Sequence, residues 1–238
     1  MAGYWKGTAI DDDTERTWTA VALIAPSGEA QWIIVRNPDE DEDEDDDASD
    51  DGFVLHGDVC CEAELDTNIA AKELGDTRAR DARLRVELDG GALRGEIDFQ
   101  RNDFEFTLNA SSEFDQPLTL AELAGVYTRS TATLLGSQTT MTVTIDANGQ
   151  LSGSHSNGCV FNGTASIPDA SRSLVNLQVQ LDSCGNTLAS SKQWNGEYRG
   201  LGILLRDAVS PSNPLLREDV LYHSTVGPAW LGPQSVGK

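Results

Sequence analysis

Apolar side chains recur at every second residue through much of this chain. In Thr140-Met141-Thr142-Val143-Thr144-Ile145 they fall on Met141, Val143 and Ile145, the period of a strand with one buried face. Asp146-Ala147-Asn148-Gly149 follows and predicts a hairpin, because Asn-Gly takes the positive φ that a tight turn needs. Residues 150–153 begin the return strand, 159–167 form another, and 168–173 are a turn cluster. Beyond it Val175, Leu177, Val179 and Leu181 alternate with Leu174, Asn176, Gln178 and Gln180, giving one strongly apolar face. Connections this short permit only antiparallel pairing.

The same pattern runs through the first half. Strands are predicted at 3–10, 18–24, 30–35, 52–61, 83–88, 92–99 and 103–108. Turns fall at 25–29 and at Asp89-Gly90-Gly91. Residues 68–82, interrupted by Gly75, predict a loop with one or two helical turns. Residues 117–124 predict a short helix ended by Gly125, with Thr119 capping it and Glu122 returning the capping bond. Later, 193–205 are a Gly-rich strand pair or one bent strand, 220–226 are the last strand, and 227–238 are a Pro/Gly-rich tail.

Two halves, 1–116 and 117–238, line up. Gly3-Tyr4-Trp5-Lys6-Gly7 matches Gly125-Val126-Tyr127-Thr128-Arg129, and residues 21–32 match 143–154. The fold class is therefore all-β: an antiparallel meander of two related halves closing into a β-barrel or barrel-like sandwich, with one short helix before Gly125. Closure removes exposed strand edges. One joint barrel is expected rather than two, because each half alone offers few strands and a modest core.

Charge narrows the partners. The net charge is −22 over 238 residues, which excludes nucleic acid, since binding it requires a basic surface, and disfavours adsorption to anionic lipid. No run approaches the ~18 apolar residues of a membrane-spanning helix. Eleven acids occupy 39–47, 50 and 51. Like charges this dense repel, so the 37–51 loop is expected to be disordered. Without them 28 acids still face 17 bases, leaving −11.

Candidate chemistry is sparse. His56, His155 and His223 lie in separate predicted strands without metal spacing, and no nucleophile elbow, phosphate loop or zinc motif is present. A non-enzymatic protein is expected, with no cofactor. The one ion site on offer is calcium-loop-like: Asp47, Ser49, Asp51 and Asp58 overlay positions 1, 3, 5 and 12 of an EF-hand loop. It lacks flanking helices and has Asp in place of the terminal Glu, and it competes with simple solvation of the acidic run. Cys159 and Cys184 bracket the last hairpin. If they face each other the hairpin centre lies between Ser171 and Arg172, inside the turn cluster, which predicts a disulfide. For the adjacent Cys60 and Cys61, a vicinal bond, one bond elsewhere or free thiols all remain open.

The helix before Gly125-Val126-Tyr127, the segment at 152–164, the return to Cys184 and the late Gly-rich strand resemble a group of uncharacterised two-repeat, all-β envelope proteins of proteobacteria, often lipoproteins. The helix–Gly-x-aromatic start is also similar to lipocalin and avidin-type barrels. The resemblance covers the second half well and the first loosely. It implies a barrel and a periplasmic or outer-membrane lipoprotein location, with an export signal that this chain does not carry. It supplies no activity. The expected function is binding of a small apolar ligand or a partner protein. A packed structural or surface-interaction barrel without a ligand is the alternative, and a hydrolase a distant third.

Overall fold

The computed structural model describes residues 1–36, 52–59, 64–73, 79–100, 102–132, 138–184, 194–209, 217–226 and 234–238. The acidic run 39–51 and Cys60 and Cys61 lie outside them.

Among the described residues alternation becomes sixteen strands, in two units, Met1–Ser112 and Glu113–Lys238. The first unit runs β1 (Gly3–Asp11), β2 (Thr17–Ile24), β3 (Glu29–Arg36), β4 (Gly52–Asp58), β5 (Glu64–Glu73), β6 (Arg80–Asp89), β7 (Ala92–Phe99) and β8 (Asn102–Ala110). Each strand pairs antiparallel with the next, and β8 returns to β1 in a register running from Trp5↔Ala110 to Asp11↔Phe104. The sheet is a closed eight-stranded barrel.

The second unit opens with α1 (Leu120–Leu123) and continues through β9 (Gly125–Ala132), β10 (Gln138–Ile145), β11 (Gln150–His155), β12 (Val160–Ser166), β13 (Leu174–Asp182), β14 (Gly196–Val209), β15 (Arg217–Val226) and β16 (Gln234–Gly237). It too curls back on itself, but closes more thinly: β16 is four residues long and meets β9 at Gly237↔Thr128.

The expected joint barrel is therefore replaced by one barrel per half. Eight strands suffice to close a barrel whose interior side chains fill it, and the β1–β8 ladder uses both edges of the first sheet. Two other expectations change, and for the Gly-rich segment the one-bent-strand alternative is met. Residues 68–73 continue β5 and 80–82 begin β6, rather than forming a partly helical loop. Ile69 and Ala71 point into the core, and ladders to β4 and β6 flank this strand on both sides, which overrides the helical preference of Ala-Ala-Lys-Glu. The Gly-rich segment is one strand, β14, shifted in register between Leu205 and Ala208, where Asp207 has φ 51°. The Pro/Gly-rich tail supplies a strand of its own, β16.

Turn chemistry is met as read. Ala25 to Gly28 and Asp146 to Gly149 make the same turn: Gly28 N–H donates to Ala25 O, Gly149 N–H donates to Asp146 O, and both glycines have positive φ (98° and 79°). These hairpins correspond at an offset of one residue less than the sequence alignment places them, because Ile24↔Ala30 matches Ile145↔Leu151. The α1 capping box forms, with Glu122 N–H on Thr119 Oγ1 and Thr119 N–H on Glu122 Oε2 (2.9 Å).

Barrel 1 is packed with rings. Trp32 meets Phe106 at 5.1 Å, and Phe53 meets Phe104 at 4.9 Å and Phe99 at 5.3 Å. All of these side chains are buried. Truncating any one of the phenylalanines to Ala would cost about 3–5 kcal/mol.

Candidate ligand compartment in the second barrel

One end of barrel 2 is plugged by its own chain. Leu118 N–H donates to Ala170 O, Ser173 N–H donates to Phe114 O, and Arg206 Nη2 donates to Pro117 O. These contacts hold the segment around α1 against the β12–β13 turn and β14, and Leu118 and Leu123 are buried beneath it.

The opposite end carries the disulfide. Cys159 and Cys184 are bonded, with Cα atoms 4.1 Å apart. The geometry differs from the simple facing pair. Pairs from Val160↔Asp182 to Ser166↔Asn176 centre the hairpin on Ser171, which sets Ser183 opposite Cys159. Ser183 has φ 58°, and this left-handed residue turns the chain so that Cys184 reaches its partner. Asn157 Oδ1 accepts from Cys159 N–H (3.1 Å) and Asn195 Oδ1 from Cys184 N–H (2.9 Å), anchoring both sides.

Strand parity decides what faces the lumen. Tyr127, Val143, Ile145, Leu151, Phe161 and Leu181 belong to the buried core, so residues two positions away on the same strands also point inward. Met141 pairs with Arg129 on one side and His155 on the other. Three adjacent inward positions near the disulfide end are thus Arg129, Met141 and His155, all half-buried. His155 Nδ1 accepts from Asn157 N–H at 3.1 Å, so Nε2 carries the proton of the neutral ring. No carboxylate occupies an inward position of barrel 2 among the residues whose side chains are described.

Deeper in, Val179 packs against the core yet is only half-buried. Its inward neighbours in register are Gly163, which has no side chain, and Tyr198. Inward positions at Gly153, Gly200 and Gly202 likewise contribute no side chain. Inward residues are buried near the plug, at Val175, Leu177 and Leu204, and toward the disulfide end, at Phe161, Leu181, Cys159 and Cys184, while Val179 between them is half-buried. In barrel 1 the inward residues Ala30, Trp32, Ile34, Phe53 and Leu55 of β3 and β4 are all buried.

Charge is divided between the units. Residues 1–112 hold 29 acids and 10 bases, and 113–238 hold 10 acids and 7 bases, so −19 of the −22 belongs to the first unit. On the outside of barrel 1, Arg85 reaches Glu96 and Asp98, and Arg83 grips Asp66 through two bonds of 2.8 and 2.6 Å. That grip holds the Asp66 carboxyl below the usual carboxylate range. A cleft of about 310 Å³ lies here, lined by Asp12, Arg85, Glu96, Asp98, Asp103 and Phe104. The β7–β8 register sets Glu96 opposite Glu105 and Asp98 opposite Asp103, like charges that repel across the ladder.

Of the calcium-loop residues only Asp58 is among the described residues. Asp47, Ser49 and Asp51 lie outside the described residues, but β4 is extended from Gly52 to Asp58. Asp58 is the exposed last residue of that strand. Among the described residues no group of three or more His, Cys, Asp or Glu side chains is placed to hold a metal.

Sequence reasoning missed Arg129 altogether and read His155 as an ordinary strand residue. The available signal was parity: Arg129 is two residues beyond the aromatic of the Gly-x-Tyr motif. No protein-family model, curated protein or solved structure matches this chain.

Proposed function

We propose that this chain is a non-enzymatic envelope protein whose second barrel binds a small, largely apolar molecule. The observation that carries the reading is Val179, an inward valine that packs against the core of barrel 2 yet stays half-buried. Half-buried Met141 extends the apolar lining toward the disulfide end. Barrel mouths of this kind are usual ligand sites. The Cys159–Cys184 bond supports residence in an oxidising compartment, as the envelope reading requires. The aromatic packing of barrel 1 favours a different role for that unit: a structural or surface-interaction module that works through its acidic exterior.

The test uses the full chain and the neutral fluorophore N-phenyl-1-naphthylamine. Saturable enhancement is expected, abolished in Val179→Trp while circular dichroism shows the fold retained. Equal enhancement by the wild type and a folded Val179→Trp protein would place the probe elsewhere and defeat the reading.

A further inference from the structure

We infer that the Asn157-Gly158 peptide, in the turn beside the disulfide of barrel 2, is a modification site. There the Asn157 side chain closes on Gly158, loses ammonia and becomes aspartate or isoaspartate.

Asn-Gly occurs four times in this chain, at 148–149, 157–158, 162–163 and 195–196. The dipeptide is prone to this reaction because glycine, with no side chain, leaves its nitrogen open to the neighbouring amide. The fold separates the four. At Gly149 and Gly163 an added Cβ would lie 2.2 Å from Ala165 O and 2.0 Å from Gln178 O, so both peptides are pinned against a neighbouring strand. Gly149 is also buried, and Asn162 stands in β12 between β11 and β13. Gly196 opens β14 opposite Leu181 in its ladder. Gly158, by contrast, is exposed with φ 96°. Outside its chain neighbours, the nearest atom to an added Cβ there is Ser183 O, at 3.7 Å.

The turn also polarises the amide that is attacked. Cys159 N–H donates to Asn157 Oδ1 at 3.1 Å. This bond folds the side chain back over the Asn157–Gly158 peptide and places a donor where negative charge develops once Cγ is attacked. Asn195 Oδ1 has a comparable donor in Cys184 N–H, at 2.9 Å. Among the described residues no backbone N–H reaches the amide oxygen of Asn148 or Asn162. Asn157 therefore combines an open glycine with a polarised carbonyl.

The step balances with water alone. The Gly158 N–H leaves its acceptor, His155 O at 2.9 Å, and gives its proton to hydroxide. The nitrogen bonds to Asn157 Cγ, the Cγ–Nδ2 bond breaks, and Nδ2 departs as ammonia after taking a proton from water. A further water opens the imide. Breaking the new bond to Cγ gives aspartate; breaking the bond to the Asn157 carbonyl carbon gives isoaspartate, with the main chain rerouted through Cβ. Either product adds one negative charge to a unit at −3. Isoaspartate also lengthens the chain between the two N–H groups that hold to His155 Nδ1 and His155 O, and so loosens the turn next to Cys159.

The experiment incubates the full-length, unreduced protein at mildly alkaline pH and localises each converted asparagine by tandem mass spectrometry, with isoaspartyl methyltransferase labelling to mark isoaspartate. Asn157 is expected to convert about tenfold or more faster than Asn148 and Asn162, with Asn195 between. Conversion should slow at mildly acidic pH, where hydroxide is scarce. The same incubation of the reduced chain in guanidinium chloride is expected to erase the order, since four identical dipeptides then differ only in flanking residues. Asn157 unchanged in the folded protein, or matched there by any of the other three, overturns the assignment. So does the same order in the unfolded chain, which would trace it to sequence and not to the turn.

Discussion

The hydroxyl of Tyr127 donates to the backbone carbonyl of Leu123, 2.5 Å away, and both residues are buried. The bond joins the last turn of α1 to the inward face of β9, so the plug and the barrel wall are tied through one side chain. The device recurs. Tyr198 donates to Trp194 O at 2.9 Å, and Trp5 Nε1 to Met1 O at 2.9 Å. In each case the aromatic is the third residue of its strand and reaches back four residues.

Removing the Tyr127 hydroxyl leaves the Leu123 carbonyl buried without that donor. Tyr127→Phe is expected to lower stability by about 1–3 kcal/mol, with secondary structure unchanged. Urea titration followed by circular dichroism reads this directly. A loss below a few tenths of a kcal/mol would mean that another donor takes over.

The disulfide closes a separation of 25 residues. Restricting the unfolded chain over that loop contributes on the order of 3 kcal/mol. The Cys159→Ala/Cys184→Ala double variant should lose about that much. Thiol counting on the unreduced, denatured wild type should not find both cysteines free; recovery of both as free thiols refutes the pairing.

Salt should act on the first unit. It carries −19, and like charges face each other at Glu96↔Glu105 and Asp98↔Asp103. Screening at ~0.5 M NaCl relative to ~10 mM, where the Debye length is about 30 Å, relieves this repulsion. Calorimetry is expected to show a transition of the first unit that rises with salt and one of the second unit, at −3, that barely moves. Deleting residues 39–51 should reduce the shift without removing it. A salt effect that disappears with the deletion would assign all the repulsion to that run.

The α1 cap should titrate in acid. The Thr119 hydroxyl, then the Thr119 N–H, hold the Glu122 carboxyl below the ordinary glutamate range. A lowered folded pKa means that the stabilisation is fully present above the unfolded value, about 4.3, and is lost as pH falls through the lower folded value. Glu122→Gln is therefore expected to flatten the dependence of stability on pH below about 4.5, leaving that above pH 6 unchanged. An identical acid limb in the variant contradicts this.

Much of the architecture was determined by local sequence. The alternation in 140–145, the Asn148-Gly149 turn, the Thr119–Glu122 capping box and the cysteine pair each act over a few residues or one hairpin. Local propensity and short-loop closure suffice to specify them. Tertiary structure decided the rest, because it depends on pairings distant in sequence. Whether one barrel forms or two turns on β8 meeting β1, a contact between Trp5 and Ala110 that no local pattern encodes. The extended path of 68–73 likewise follows from its two neighbouring strands and not from its own helix-prone composition. The candidate site shows the same division. Arg129 and His155 sit in strands whose alternation is legible, but parity only says which residues share a face. It was the closing of β9–β16 around Tyr127 and Val143 that made that face the inside.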